Sequence, residues 1–188
     1  MLAEQLKKDT LQSHQQLEKM LVGRMKAIRS QEDYVKLLQL FYTYFGGLET
    51  LIDQYINQSE LSDYAERRKA QALANDIETL GGHPMSKASG ENLPQIKNKL
   101  QAYAALYVIE GSTLGGKIIS KMMAQQLGIS NGEGLSFFNG YGDDTEAKWD
   151  SFKDVLNKLT KSSEEDKVVI DSANETFEKF KQWAEKNA

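Results

Sequence analysis

Three glycines, Gly111, Gly115 and Gly116, fall inside a stretch that otherwise reads as one long helix from Pro94 to about Leu127. Each interior glycine weakens a helix by about 1 kcal/mol relative to alanine, so three within two turns cost about 3 kcal/mol unless a bend or a close approach uses them. At 1.5 Å per residue the straight helix would be about 50 Å long, whereas a chain of this size has a radius of gyration near ~16 Å. A bend between Gly111 and Gly116 is therefore expected. The bared backbone suits two visitors, a flat ligand or a second helix, and spacing alone does not choose between them.

The rest of the chain is also helical in pattern. Only Pro84 and Pro94 interrupt it, and strand-like alternation is absent. Six helices are predicted. Ala3, Leu6, Thr10, Ser13 or His14, Leu17 and Leu21 form the inner stripe of the first. Ser30-Gln31-Glu32-Asp33 resembles an N-terminal cap ahead of an aromatic-rich second helix ending near Ile52. A third runs from about Leu61 to Leu80 and stops at Gly81-Gly82. The fourth opens at Pro94 and carries the glycines. Trp149, Phe152, Val155 and Leu156 mark the fifth, and Ser162 caps a sixth that runs to about Trp183. With 188 residues and 40% hydrophobic content, one all-α domain over 1–188 is expected, with neither repeats nor a linker.

Charge and composition narrow the chemistry. The balance of 23 basic against 27 acidic residues, net −4, argues against non-specific nucleic-acid binding. No apolar run reaches the roughly 18 residues needed to cross a bilayer, and Met1 to Lys8 lacks a signal peptide's apolar stretch, so a cytoplasmic protein without membrane contact is expected. The absence of cysteine excludes disulfides, thiolate-held zinc or heme, and cysteine-bound iron–sulfur clusters. A di-iron bundle needs Glu-x-x-His pairs, and neither His14 nor His83 has an acidic residue three positions earlier. One histidine ligand is what remains. His14 has Glu18 one turn later, a carboxylate able to accept the ring's Nδ1–H and leave Nε2 free for a metal; a core histidine satisfied by the same carboxylate fits the pattern as well. A single axial histidine is enough for heme, and a flat macrocycle needs a smooth opposite wall, which the backbone around Gly111 can supply.

Taken together these segments resemble the biliverdin-producing heme oxygenases, especially the bacterial branch associated with phytochromes. Leu6 to Glu18 is similar to the family's proximal segment, Gly111-Ser112-Thr113-Leu114-Gly115-Gly116 to its kinked distal helix, and Phe137 to Phe152 to the bacterial branch; Asn174 and Phe177 also match. The resemblance implies a heme oxygenase-like fold with His14 as axial iron ligand, Glu18 orienting it, and Gly111, Gly115 and Gly116 touching the heme. It places Lys7 and Lys153 at propionate-facing positions and Phe177 beside the heme, while the family's second basic position on the first helix falls on Leu11. Where the animal enzymes carry an aspartate that anchors a water network, Ser112 stands here; serine orders water but supplies no negative charge.

The implied reaction is cleavage of heme b, both substrate and cofactor, by O2 and reductant to biliverdin, carbon monoxide and ferrous iron. Gly111, Ser112 and Gly115 form the catalytic wall. Electrons come from an external donor, a ferredoxin or reductase, because the chain has no flavin or nucleotide motif. Residues 1–29 carry six basic and three acidic side chains, a surface that fits an acidic partner or a solvated helix face equally. A non-catalytic heme carrier or sensor of the same fold is the competing reading.

Overall fold

The computed structural model describes residues 1–188 and contains eight α-helices and no strand. They are α1 (Leu2–Asp9), α2 (Leu11–Ala27), α3 (Gln31–Ile52), α4 (Ala70–Thr79), α5 (Lys99–Gly111), α6 (Thr113–Leu127), α7 (Thr145–Leu159) and α8 (Ser163–Lys186). The cap at Ser30 is a full capping box: its hydroxyl accepts from the Asp33 amide at 3.1 Å, and the Asp33 carboxylate accepts from the Ser30 amide at 3.2 Å. Ser162 caps α8 with its hydroxyl, which accepts from the Glu165 amide at 3.2 Å, while the Glu165 carboxylate accepts from the Lys161 amide. At the end of α4, Gly81 takes the left-handed φ of +85° and the Gly82 amide reaches back to the Ile77 carbonyl, the closure expected of this glycine pair.

Three of the six predicted helices need correction. The first is broken at Thr10, whose hydroxyl donates to the Leu6 carbonyl at 2.6 Å while Ser13 donates to the Thr10 carbonyl, and such back-bonding bends a helix. The third is regular only from Ala70, because residues 64–66 form a 3-10 turn and Arg67 and Lys69 are extended so that buried arginines can reach α5. Pro94 lies outside the fourth helix, which opens five residues later with Asn98 as cap, accepting from Gln101. That helix is divided, as its length demanded: α5 ends at Gly111, Ser112 intervenes, and α6 begins at Thr113.

One core holds these helices together. Phe41, Phe45, Phe137, Phe138 and Phe180 meet edge to face at its centre, with Tyr44 stacked on Phe180. α5 is apolar and buried all round from Ala102 to Ile109, and it packs chiefly on α8. α8 also backs α2 and α1.

Candidate active site

The residues expected from the sequence to form the site lie mainly on α2 and α6, which are tied together at one end. The Gln126 amide near the end of α6 donates to the carbonyls of Met25 and Ile28 at the end of α2, at 3.1 and 2.8 Å, and no other hydrogen bond joins these helices. From this tie the facing stripe of α6 runs back through Met122 and Ile119 to Gly115, while that of α2 runs back through Leu21 and Glu18 to His14. Gly115 precedes Gln126 by eleven residues, and His14 precedes Met25 by the same number. Both therefore stand about 16 Å along their helices from this tie.

Exposed apolar side chains neighbour His14 and Gly115 in sequence. Leu11, Leu114 and Ile118 are 46%, 45% and 68% exposed, three of the six large hydrophobic side chains left in solvent. A Cβ on Gly115 would meet nothing within 4 Å, so the bare backbone here answers no helix-packing need in the free protein. Gly116 differs, since its Cβ would lie 2.1 Å from the Phe138 carbonyl; the loop approaches that face, and the glycine is required for packing. Gly111 lies between these cases, with Trp149 at 3.6 Å from its Cβ position.

His14 is on the first turn of α2, but Ser13, not the histidine, occupies the buried stripe. Ser13 donates to Asn174 of α8 at 2.6 Å, and Asn174 donates to the Asp9 carbonyl, which fixes the rotation of α2 and turns His14 outward. Its side chain is 54% exposed, the imidazole stacks on Phe177 at 5.1 Å between centroids, and Nε2 is 4.0 Å from Glu18 Oε2. The nitrogen nearest Glu18 is thus Nε2, not Nδ1 as the sequence reading had it, at a distance too long for a hydrogen bond. Phe177 itself is buried.

Lys7 and Lys153 lie on α1 and α7, two helices that pack against each other. Asn157 of α7 accepts from the Ala3 amide at 2.9 Å, whereas Trp149, two turns earlier, packs on Tyr107 beside Thr10. α7 therefore runs antiparallel to α1, with Lys153 opposite Lys7. Lys7 is exposed, and Lys153 pairs with Asp150 at 3.1 Å.

Behind the distal wall lies a buried polar cluster that the sequence reading did not single out. The fully buried Arg67 contacts Glu110 at 3.3 Å and Asp63 at 3.1 Å, and the Tyr141 hydroxyl donates to Glu110 while accepting from the Arg68 amide. Burial alone would lower the pKa of Arg67, but the Glu110 and Asp63 carboxylates outweigh it and hold the value above its usual range. Arg68, without a carboxylate in contact, is pulled by burial down to about 10. Burial, reinforced by the Glu110 charge, raises the Tyr141 hydroxyl. Ser112 accepts from Arg68 at 2.5 Å and donates to the Ile109 carbonyl at 2.6 Å. A signal for this cluster was present: Arg67 continues the stripe Ala70, Leu73, Ala74, Ile77 backwards, and Glu110 ends an all-apolar run, so two opposite charges occupy core positions.

No group of three or more histidine, aspartate and glutamate side chains converges in metal-holding geometry, and no helix is long and apolar enough to cross a membrane. Among solved structures, the NO- and CO-bound heme oxygenase of Neisseria meningitidis superposes with a TM-score of 0.84 at 24% identity, covering 100% of this chain and 92% of that one. A Synechocystis heme oxygenase in complex with heme gives 0.75 at 20%, covering 98% and 91%. The all-helical fold is theirs. In sequence, a heme oxygenase of Xanthomonas campestris is 28% identical over 150 residues, 79% of this chain and 87% of that protein. Heme oxygenase PigA of Pseudomonas aeruginosa is 24% identical over 171 residues, 91% and 85%. The family model for heme oxygenase matches residues 1–186, and the chain belongs to the heme oxygenase family of enzymes.

Proposed function

We propose that α2 and α6 bound a slot that takes heme edge-on, with His14 as axial ligand, Glu18 beside it, and Gly111 and Gly115 as the opposite wall, and that the protein uses O2 and reductant to cleave heme to biliverdin, carbon monoxide and ferrous iron. The observation that carries this reading is the placement of an exposed imidazole and a side-chain-free helix turn at equal distances from the tie between α2 and α6. Heme supplies the iron and the carbon to be oxidised. The protein supplies one neutral nitrogen ligand, which releases iron more readily than a thiolate would, and a wall without side-chain acids or bases. Such a wall leaves no residue positioned to drive the heterolysis that peroxidase-type sites promote, and its closeness restricts which meso edge is presented.

Lys7 and Lys153 carry positive charge at the slot's rim, suited to the two propionates. Gly116 contributes indirectly, by letting the Phe138 loop press α6 toward the slot. Electrons are supplied by an external ferredoxin or reductase; the basic residues of the first 29 positions are a surface on which an acidic donor would dock.

The test is aerobic incubation of the heme complex with a reductant, followed by chromatography of the pigment. A bilin product, together with a Soret band whose position changes in His14→Ala, is the expected result. An intact heme complex after reduction and oxygen addition would instead make the protein a carrier or sensor. A hemin titration showing no His14-dependent Soret band would remove the reading altogether.

A further inference from the structure

Where α5 meets α6, side chains donate to the last carbonyls of α5. Arg68 Nη2 donates to the Ile109 carbonyl at 2.9 Å and to Ser112 Oγ at 2.5 Å, and Nη1 donates to the Phe137 carbonyl at 3.0 Å. One guanidinium therefore grips the end of α5, the residue between the two helices, and the loop that presses on Gly116. Its plane lies over the Phe137 ring, 3.7 Å from the centroid, and the residue is only 9% exposed. A guanidinium presents its donors in a rigid fork, so three acceptors bound to it cannot shift independently. The fork thus ties the end of α5, Ser112 and the Phe137 loop to one another.

We propose that Arg68 is a positioning residue for the distal wall: through Ile109, Ser112 and the Phe137 loop it sets the tilt of α6 over the slot and thereby which edge of a bound heme is attacked. The functional half of this inference rests on the heme-cleavage reading; the structural half does not. A guanidinium that served stability alone would affect unfolding but leave regiochemistry untouched. Arg68→Lys keeps a buried cation but loses the planar fork, and Ser112→Ala removes one of the three acceptors without touching the charge.

The experiment compares full-length wild type with Arg68→Met, Arg68→Lys and Ser112→Ala in two measurements. Amide hydrogen exchange of the heme-free protein is expected to quicken about tenfold at residues 110–117 in Arg68→Met and by a smaller factor in the other two, with α8 unchanged. The ratio of bilin isomers formed from heme is expected to shift in the same order. If Arg68→Met fails to fold, the other two variants carry both measurements. Junction exchange equal to wild type in Arg68→Lys and Ser112→Ala would overturn the proposal, and so would faster exchange with an unchanged isomer ratio. If wild type forms no bilin, the cleavage reading fails, while the exchange measurement still decides whether Arg68 holds the junction.

Discussion

The two walls of the slot are built on opposite plans. On the α2 side the functional group is an exposed imidazole with one stacking partner, Phe177, and a carboxylate at 4.0 Å, and the helix beneath is oriented by neutral hydrogen bonds from Ser13 and Asn174. On the α6 side the surface is bare, and the charges lie behind it: Arg67, Arg68 and Glu110 are all buried. In the proposed reading, a ligand that must bind and later release iron is left free to adjust, whereas the wall opposite it is backed by buried charge. Buried charge is an expensive way to hold a helix, and its use at this junction indicates that the position of the break, more than overall stability, is what the cluster secures.

The sharpest way to break this contrast is to remove the carboxylate that the distal cluster surrounds. Glu110→Gln leaves Arg67 with Asp63 as its one carboxylate partner and takes from Arg68 the carboxylate charge that offsets its burial, and is expected to destabilise the fold by about 3–5 kcal/mol, measured by urea unfolding. Loss of less than about 1 kcal/mol would mean that the arginines find other partners and that the wall is not held by charge.

The glycines sharpen the comparison within a single helix. Gly116→Ala drives a methyl group against the Phe138 carbonyl, which is backbone and unable to swing aside, so a cost of about 1–3 kcal/mol in denaturant unfolding is expected. Gly115→Ala meets open space and should stabilise α6 by up to about 1 kcal/mol. Its effect should appear instead in the heme-loaded protein, as a changed Soret spectrum or bilin isomer ratio. Equal destabilisation by both substitutions would make the pair an ordinary helix-packing motif.

On the opposite wall, His14→Ala should change stability by no more than about 0.5 kcal/mol, as befits an exposed surface position, while abolishing the histidine-dependent Soret band in a hemin titration. A large loss of stability would show that the stack on Phe177 matters more than the ligand role.

How much of this was legible in the sequence follows from where each signal resides. The capping box at Ser30, the Gly81-Gly82 stop and the need for a break near Gly111 are local, and local spacing revealed them. The break at Thr10 depends on hydroxyls bonding their own helix, a choice that propensity does not decide, and the irregular entry to α4 exists because Arg67 and Arg68 reach a helix more than forty residues away. Glycine spacing could not tell Gly115 from Gly116, since one faces the slot and the other a loop carbonyl. His14 was placed on the inner stripe because it neighbours Ser13, and only the hydrogen bond from Ser13 to Asn174 determines which of the two turns inward.

The smallest expected effect concerns acid. Burial alone would raise the Asp63 pKa, but hydrogen bonds from Lys148 and Arg67 and the charges of both outweigh it, so the carboxyl titrates below its usual value of 3.8. A carboxylate with a depressed folded-state pKa adds stability that is complete above its unfolded value and lost as pH falls through the folded one. Asp63 is partly exposed, solvent screens its ion pairs, and the contribution should stay below about 1 kcal/mol. Urea midpoints of wild type and Asp63→Asn should therefore differ slightly at pH 6 and converge as pH drops below about 4. In the same titration, protection factors, which correct for the slower intrinsic exchange at lower pH, should fall at the α5–α6 junction of wild type while those around His14 hold, because Asp63 anchors Arg67 and nothing on the α2 wall. Equal loosening of both walls would place the acid-sensitive group elsewhere and remove the electrostatic distinction between them.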